Sequence, residues 1–384
     1  MNNFDRILDI KLPRKQSAFL WGARKTGKST YLKERFPESV RIDFLDTREF
    51  LEFSKRPYVL RERLLALPKA DLARPVILDE VQKVPQILDE VHGLIENQGL
   101  SFVLCGSSAR KLKANHANLL GGRAWRYEMF PLVSKEIGNI DLGKALNRGT
   151  IPAHYLQDEY QKSLSAYVND YLKEEVFAEG LVRNIPAFSR FFEAAGYSHG
   201  ELLNYANIAR DCGVDAKTVK QYYEILADTL LGTFVLPFHK RQSRQVLTQT
   251  SKFYLFDVGI AGVVIKRTIP DLKGEAFGKA FEHFIFTELN AHRSYSGSNH
   301  DICYWRTKTG LEVDFVLGGK VAVEVKGSDR VDASDLKPMK AFVEEYRPAK
   351  AIIVCRETVR RVSGGIAIIP WKDFLKDLWA GKII

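Results

Sequence analysis

Cysteine is scarce. The four present, Cys105, Cys212, Cys303 and Cys355, lie far apart and form no CxxC pair. That excludes a disulfide framework and a thiolate zinc site, and it suits a reducing cytoplasm. The eight histidines make no HxH or HExxH pattern, so no zinc chemistry is indicated. No apolar run approaches the roughly 20 residues of a membrane helix. The opening MNNFDRILDIKLPRKQ lacks the apolar stretch of a secretory signal. Internal repeats and low-complexity segments are missing as well. These absences read as a cytoplasmic protein with no membrane partner.

What is present is enough apolar material for sizeable cores: 45% of 384 residues are hydrophobic, which excludes a disordered or fibrous chain. At roughly 150 residues per domain, two or three domains are expected. Lys and Arg number 57 against 47 Asp and Glu, a formal charge of +10, so an anionic partner is expected. The excess is local. Residues 101–127 hold Arg110, Lys111, Lys113, Arg123 and Arg126 with no acid, and residues 231–270 hold 6 basic groups and 1 acidic. Residues 151–230 run the other way, with 7 basic and 12 acidic groups.

The chain divides into an α/β segment (1–138), a mainly helical one (139–270) and a second α/β segment (271–384). In the first, short apolar runs at Ser17–Trp21, Val40–Leu45, Pro75–Leu78, Ser101–Cys105 and Ala124–Met129 alternate with helical patterns. Runs of this kind predict a parallel sheet covered on both faces. The Gly-spaced stretch 138–152 reads as a linker. In the last segment a helical pattern, residues 276–292, leads into strands at DICYWR, LEVDFVLGG, KVAVEVKG and KAIIVCR.

The first strand runs into Gly22-Ala23-Arg24-Lys25-Thr26-Gly27-Lys28-Ser29-Thr30 and then a helix, the GxxxxGK[ST] phosphate loop in its proper context. Gly22 and Gly27 permit backbone angles that curl N–H groups around phosphates, and the helix N-terminus adds its positive end. Lys28 can bridge the β- and γ-phosphates of ATP, and the Ser29 hydroxyl can hold Mg²⁺. The strand Pro75–Leu78 ends in Asp79-Glu80. Asp79 can serve the Mg²⁺ shell, and Glu80 can orient and deprotonate a water. A third strand ends in Gly106-Ser107-Ser108, hydroxyls able to sense the γ-phosphate or simply to form a turn.

The order of these motifs, LDEVQKVP, then CGSSARKL, then LLGGRAWRYEMFPL, resembles AAA-type P-loop ATPases of bacteria and archaea fused to a DUF4143 region. The resemblance implies Lys28 and Ser29 as nucleotide ligands, Asp79 for Mg²⁺, Glu80 as catalytic base and Ser107 or Ser108 as sensor. It makes Arg123 a candidate to reach a γ-phosphate, within the chain or in a neighbouring subunit of a homo-oligomer; a plain salt bridge is the alternative, and Arg126 is second choice.

In the middle segment a short amphipathic pattern from Leu203, a turn at Gly213 and a second helix capped by Asp215 make a helix-turn-helix layout. Val214, Val219, Tyr222 and Leu226 share one side, leaving Lys217, Thr218, Lys220 and Gln221 free for a DNA groove. The strand GTFVLPF then leads to Lys240, Arg241 and Arg244, a basic wing, and the family resemblance also implies a winged helix. Protein contact or pure scaffold are the other readings.

The last segment holds Asp314, Glu324 and Lys326 across a Gly318-Gly319 turn. Glu324 and Lys326, two apart on a strand, share a face. Two carboxylates there suit Mg²⁺, and a lysine can activate water against a phosphodiester. The set resembles the PD-(D/E)xK nuclease core, which implies a further Glu from the preceding helix: Glu282 first, Glu288 second. Val313 stands where that signature has its proline. A decayed nuclease fold is the alternative. Together the readings describe an ATP-hydrolysing machine on DNA or, alternatively, a nucleotide-controlled switch or signalling adaptor with an inert nuclease-like scaffold.

Overall fold

The structure, a computed structural model, describes residues 4–13, 15–108, 120–172, 184–239 and 250–384, without the side chains of 170–172. Arg110, Lys111, Lys113, Lys240, Arg241 and Arg244 lie outside the described residues. The chain forms two compact units: Arg6–Pro131 with Asp228–Leu231, and Leu132–Ala227 with Gly232–Ile384 and the chain start up to Asp5.

The first unit is built on five parallel strands, β1 (Ser17–Trp21), β2 (Arg41–Asp43), β3 (Val76–Asp79), β4 (Phe102–Gly106) and β5 (Ala124–Glu128). Their order is β2-β3-β4-β1-β5. β1, β3 and β4 are buried along their whole length, which is why they read as unbroken apolar runs. Phe19, Trp21, Phe44, Phe53, Leu78, Leu94 and Leu104 share one core. The P-loop follows the C-terminal end of β1, where open α/β sheets place their ligands.

The second unit holds most of residues 139–270 together with residues 271–384. The reason is strand pairing. β6 (Gly232–Pro237) and β7 (Lys252–Leu255) form an antiparallel hairpin, and β6 continues in parallel beside β8 (Ile302–Arg306). With β9 (Glu312–Leu317), β10 (Val321–Val325), β11 (Lys350–Cys355), β12 (Arg361–Ser363) and β13 (Ile366–Pro370) this makes one eight-stranded sheet, ordered β12-β13-β11-β10-β9-β8-β6-β7. The long helix Gly274–Tyr295 covers one face through Phe277, Phe281 and Phe284. Helix Lys337–Tyr346 covers the other through Met339 and Phe342. Leu146, Tyr155 and Tyr254 belong to the same core as Phe281 and Ile352, so both expected domains share one interior.

At that junction two fully buried imidazoles, His199 and His283, have ring centroids 4.0 Å apart. The Leu255 N–H donates to His199 Nδ1 at 3.1 Å, and His283 Nε2 lies 2.7 Å from the Leu255 carbonyl. Burial pushes His283 down to about 3 and His199 well below the usual range, with Arg267 adding repulsion to both. A folded-state value below the unfolded one gives stability that is complete above about pH 6.5 and lost as pH falls towards 3. For His283 alone the loss by pH 5 is about 2 kcal/mol. Thermal melts from pH 7 to 5 should therefore fall more steeply for the wild type than for His283→Gln. Asp257 and Glu288, pushed up by burial to about 6 and about 7, slope the opposite way in both proteins. The difference between the curves isolates the imidazole, and parallel curves would refute this account.

Candidate nucleotide-binding site and a second carboxylate cluster

The P-loop is held from several sides. Gly27 adopts φ 96° and Lys25 φ 62°, the left-handed turns that let the loop curl. Gly22 serves differently from expectation: it has no positive φ, but a Cβ there would stand 2.4 Å from the Met129 carbonyl oxygen. Its smallness, not its flexibility, lets β1 and the end of β5 close up, where Met129 N–H donates to the Trp21 carbonyl at 2.7 Å. Thr26 Oγ1 donates to the Ala23 carbonyl at 2.7 Å. Arg6, not signalled by any motif, donates to the Thr26 and Phe130 carbonyls, each at 2.6 Å.

Lys28 is buried, and its Nζ donates to the Gly22 and Ala23 carbonyls at 2.7 and 3.1 Å. Its ammonium is thereby folded back over the loop whose N–H groups would face phosphate. Ser29 and Thr30 open the helix Lys28–Arg35, and both are exposed, as are Arg24 and Lys25. Ser29 Oγ donates to Asp79 Oδ2 at 2.7 Å, bringing together two residues 50 positions apart. Glu80 sits just beyond β3 at φ 56°, a left-handed position that turns its half-buried carboxylate out of the strand line.

Sequence reasoning missed Gln82. Its amide donates to Glu80 Oε2 at 2.5 Å and to Ser107 Oγ at 2.9 Å, tying the β3 acid to the hydroxyl at the end of β4. Gly106 makes room for it, since a Cβ there would lie 2.4 Å from Gln82 Oε1. A polar Gln two residues after Glu80, in the short VQKV turn, was the available signal. Ser107 and Ser108 are both buried at this tip.

Of the alternatives open for Arg123, the structure corrects one, reach within the chain. Arg123 precedes β5, and its carbonyl accepts from Ser17 N–H at the start of β1. It therefore lies at the end of the parallel sheet opposite the P-loop and does not reach that loop's phosphate position within the chain. Its guanidinium pairs with Glu96 and donates to the Gly121 carbonyl at 3.1 Å, the salt bridge that was the alternative. Arg126 is exposed on β5.

A protein-family model described as "AAA domain" matches residues 14–138. The first unit is thus similar to AAA-type P-loop domains. DUF4143, a domain of unknown function, matches residues 277–374, and DUF8612, another, matches residues 139–270. An uncharacterized protein of Mycobacterium tuberculosis is 22% identical over 357 residues, covering 89% of this chain and 77% of that protein. One of Methanocaldococcus jannaschii is 22% identical over 349 residues, covering 82% and 75%. Among solved structures, the Aeropyrum pernix ORC1 protein in complex with DNA aligns over 65% of this chain and 86% of its own, at 14% identity and TM-score 0.28. A STAND protein with a tetratricopeptide repeat sensor from Pyrococcus horikoshii aligns over 72% and 44%, at 10% identity and TM-score 0.22. Among the described residues, no helix is long and apolar enough to cross a membrane.

Outside the AAA-type domain, the helix-turn-helix elements form as expected: helices Tyr205–Cys212 and Ala216–Asp228 joined through Gly213 at φ 67°. Val219, Tyr222 and Leu226 are buried, while Lys217, Lys220 and Gln221 are exposed. Thr218 is only half-exposed, and its hydroxyl is spent on Asp215 at 2.7 Å.

The DUF4143 region brings Asp314, Glu324 and Lys326 together. Antiparallel β9 and β10, joined through Gly318 and Gly319 at φ 53° and 68°, set Asp314 and Glu324 side by side. Asp314 N–H donates to Glu324 Oε2 at 3.3 Å, and Val325 N–H donates to Asp314 Oδ2 at 2.7 Å. Lys326 Nζ lies 2.7 Å from Glu324 Oε1. Burial, then the facing Glu324 and Glu282, pushes Asp314 well above the carboxylate range. Burial also raises Glu324, with Lys326 opposing. Glu282 faces this cluster. Glu288 does not: its carboxylate accepts from Ser134 N–H at 2.6 Å, Ser134 Oγ at 2.8 Å and Trp379 Nε1 at 2.6 Å.

The expected Mg²⁺ set of Asp314, Glu324 and Glu282 does not fit. Among the described residues no three acidic, His or Cys groups are placed to share one metal ion. The space before Glu282 is taken instead by Lys252 and Tyr254 of β7, neither signalled by the sequence. Lys252 Nζ pairs with Glu312 and lies 3.7 Å from Glu282 Oε1, and the Tyr254 hydroxyl donates to that same oxygen.

Proposed function

We propose that the protein hydrolyses ATP at its P-loop and uses turnover to change how its second unit engages DNA. The observation that carries the ATPase reading is the Ser29–Asp79 contact of 2.7 Å beside the buried Lys28 ammonium. Ser29 and Asp79 are the groups that would hold Mg²⁺, whose charge would offset that of the phosphate oxygens. Lys28 would exchange its carbonyl partners for phosphate oxygens. Glu80 would take a proton from the attacking water, and Gln82 would keep that carboxylate aligned and tied to Ser107. Arg24, Lys25, Thr26 and Thr30 complete the loop around the nucleotide.

The exposed Lys217, Lys220 and Gln221 on helix Ala216–Asp228 support DNA contact, with the hairpin β6–β7 as the wing of a winged helix. The deciding experiment is ATP hydrolysis with and without single-stranded, duplex and junction DNA, using Lys28→Ala as control. DNA should stimulate turnover, and binding should weaken steeply with salt. Lys217→Glu with Lys220→Glu should weaken DNA binding by about tenfold while leaving DNA-free hydrolysis intact. A panel of DNAs that neither binds nor stimulates would remove DNA from the proposal.

A second reading has one observation behind it. The two helices Tyr205–Cys212 and Ala216–Asp228 also expose Asp211 and Glu224, a mixture of signs suited to a protein partner, as a nucleotide-controlled switch or adaptor would require. A homo-oligomer in which Arg123 leaves Glu96 for a neighbour's nucleotide belongs to either reading. It predicts a specific ATPase activity that rises with protein concentration and falls in Arg123→Ala; a rate independent of both would exclude it.

A further inference from the structure

The geometry points to Lys252 as the resident cation of the DUF4143 carboxylate cluster, an internal ammonium standing where a nuclease-like core would place a divalent metal. Its side chain is 4% exposed, so it is committed to this site. It comes from β7 and lies between Glu312 and Glu282, with the Tyr304 ring 5.6 Å away. Tyr254, two residues on and on the same face of β7, caps the Glu282 oxygen that Lys252 faces.

Charge accounting supports the assignment. Four carboxylates, Glu282, Glu312, Asp314 and Glu324, meet three cations: Lys252, Lys326 on Glu324 at 2.7 Å, and Arg306 on Glu312 at 2.6 Å. With that company the cluster is close to neutral without any metal. A divalent ion on Glu282 and Asp314 would have to share a mostly buried space with the ammonium, and like charges at such distances repel strongly. The strand β7 that supplies Lys252 joins the sheet through β6, which pairs with β8. The same strand pairing thus extends the sheet and fills its acidic corner.

The test is Mn²⁺ binding to the full chain carrying Asp79→Asn, which silences the P-loop metal ligand, followed by electron paramagnetic resonance. That protein should bind no Mn²⁺ at the cluster. Adding Lys252→Met should create one Mn²⁺ site per chain, abolished again by Asp314→Asn, whereas Lys252→Arg should create none. If Lys252→Met unfolds part of the protein, Mn²⁺ should raise its melting temperature and leave the Lys252-containing protein unmoved. Asp314-dependent Mn²⁺ binding while Lys252 is present would overturn the assignment. So would a Lys252→Met protein that neither binds Mn²⁺ nor is stabilised by it.

Discussion

Glu80→Gln should leave ATP bound and slow its hydrolysis by roughly 10²–10⁴-fold, the usual contribution of a general base. The substitution keeps the shape of the side chain and an oxygen able to accept from Gln82, whose amide lies 2.5 Å from Glu80 Oε2. It removes the only property the site needs from residue 80, the capacity to take a proton. Binding depends on other groups: the Lys28 ammonium, the loop N–H groups, and Ser29 with Asp79. Lys28→Ala should therefore fail earlier, at nucleotide binding. Phosphate release and binding of a fluorescent ATP analogue, measured on both variants, separate the two roles. A Glu80→Gln protein that turns over at the wild-type rate would show that another group activates the water. Gln82→Leu should lie between, binding normally and hydrolysing more slowly, because it frees Glu80 from Ser107 without removing the base.

Lys252→Met should destabilise the second unit by about 3 kcal/mol, the low end of the range for breaking a buried ion pair from one side. The low end applies because Glu282 and Glu312 are about a fifth exposed and water can reach them. Asp314 and Glu324 are the costly ones. Both are nearly fully buried, and burial already pushes each towards its neutral form. For a unit of this size the loss corresponds to a melting temperature lower by roughly 6–12 °C. Lys252→Arg should lose less, because the charge remains while the packing changes. An unchanged melting temperature in Lys252→Met would mean that the ammonium contributes little and that solvent already neutralises the cluster.

The P-loop half of the protein was legible because its chemistry is local. Gly22 to Thr30 is one continuous stretch, and Asp79-Glu80 ends a strand whose burial shows as an apolar run. Spacing alone placed Lys28, Ser29, Asp79 and Glu80 near one another, and the parallel sheet brings them to one edge. Gln82 was hidden because its role depends on Ser107, 25 residues away on another strand. Whether Arg123 reaches the phosphate within the chain was undecidable for a related reason. Its neighbourhood, GGRAWR, gives no hint of which end of β5 faces the P-loop; only the pairing of Ser17 with Ala124 decides that.

In the second unit, local patterns defined the helix-turn-helix pair and the β9–β10 hairpin, since capping, turn glycines and side-chain alternation are short-range effects. Alternation even placed Asp314, Glu324 and Lys326 together. It could not reveal Lys252, which comes from a hairpin assigned to a different segment and joins the cluster only because β6 pairs with β8. The sequence by itself therefore determined the elements, the P-loop and the acidic character of the distal corner. Tertiary structure alone decided which end of a strand an arginine occupies and which cation meets those acids. Secondary structure follows from neighbours a few residues apart, whereas a buried charge is neutralised by whatever partner the strand order brings within a few ångströms.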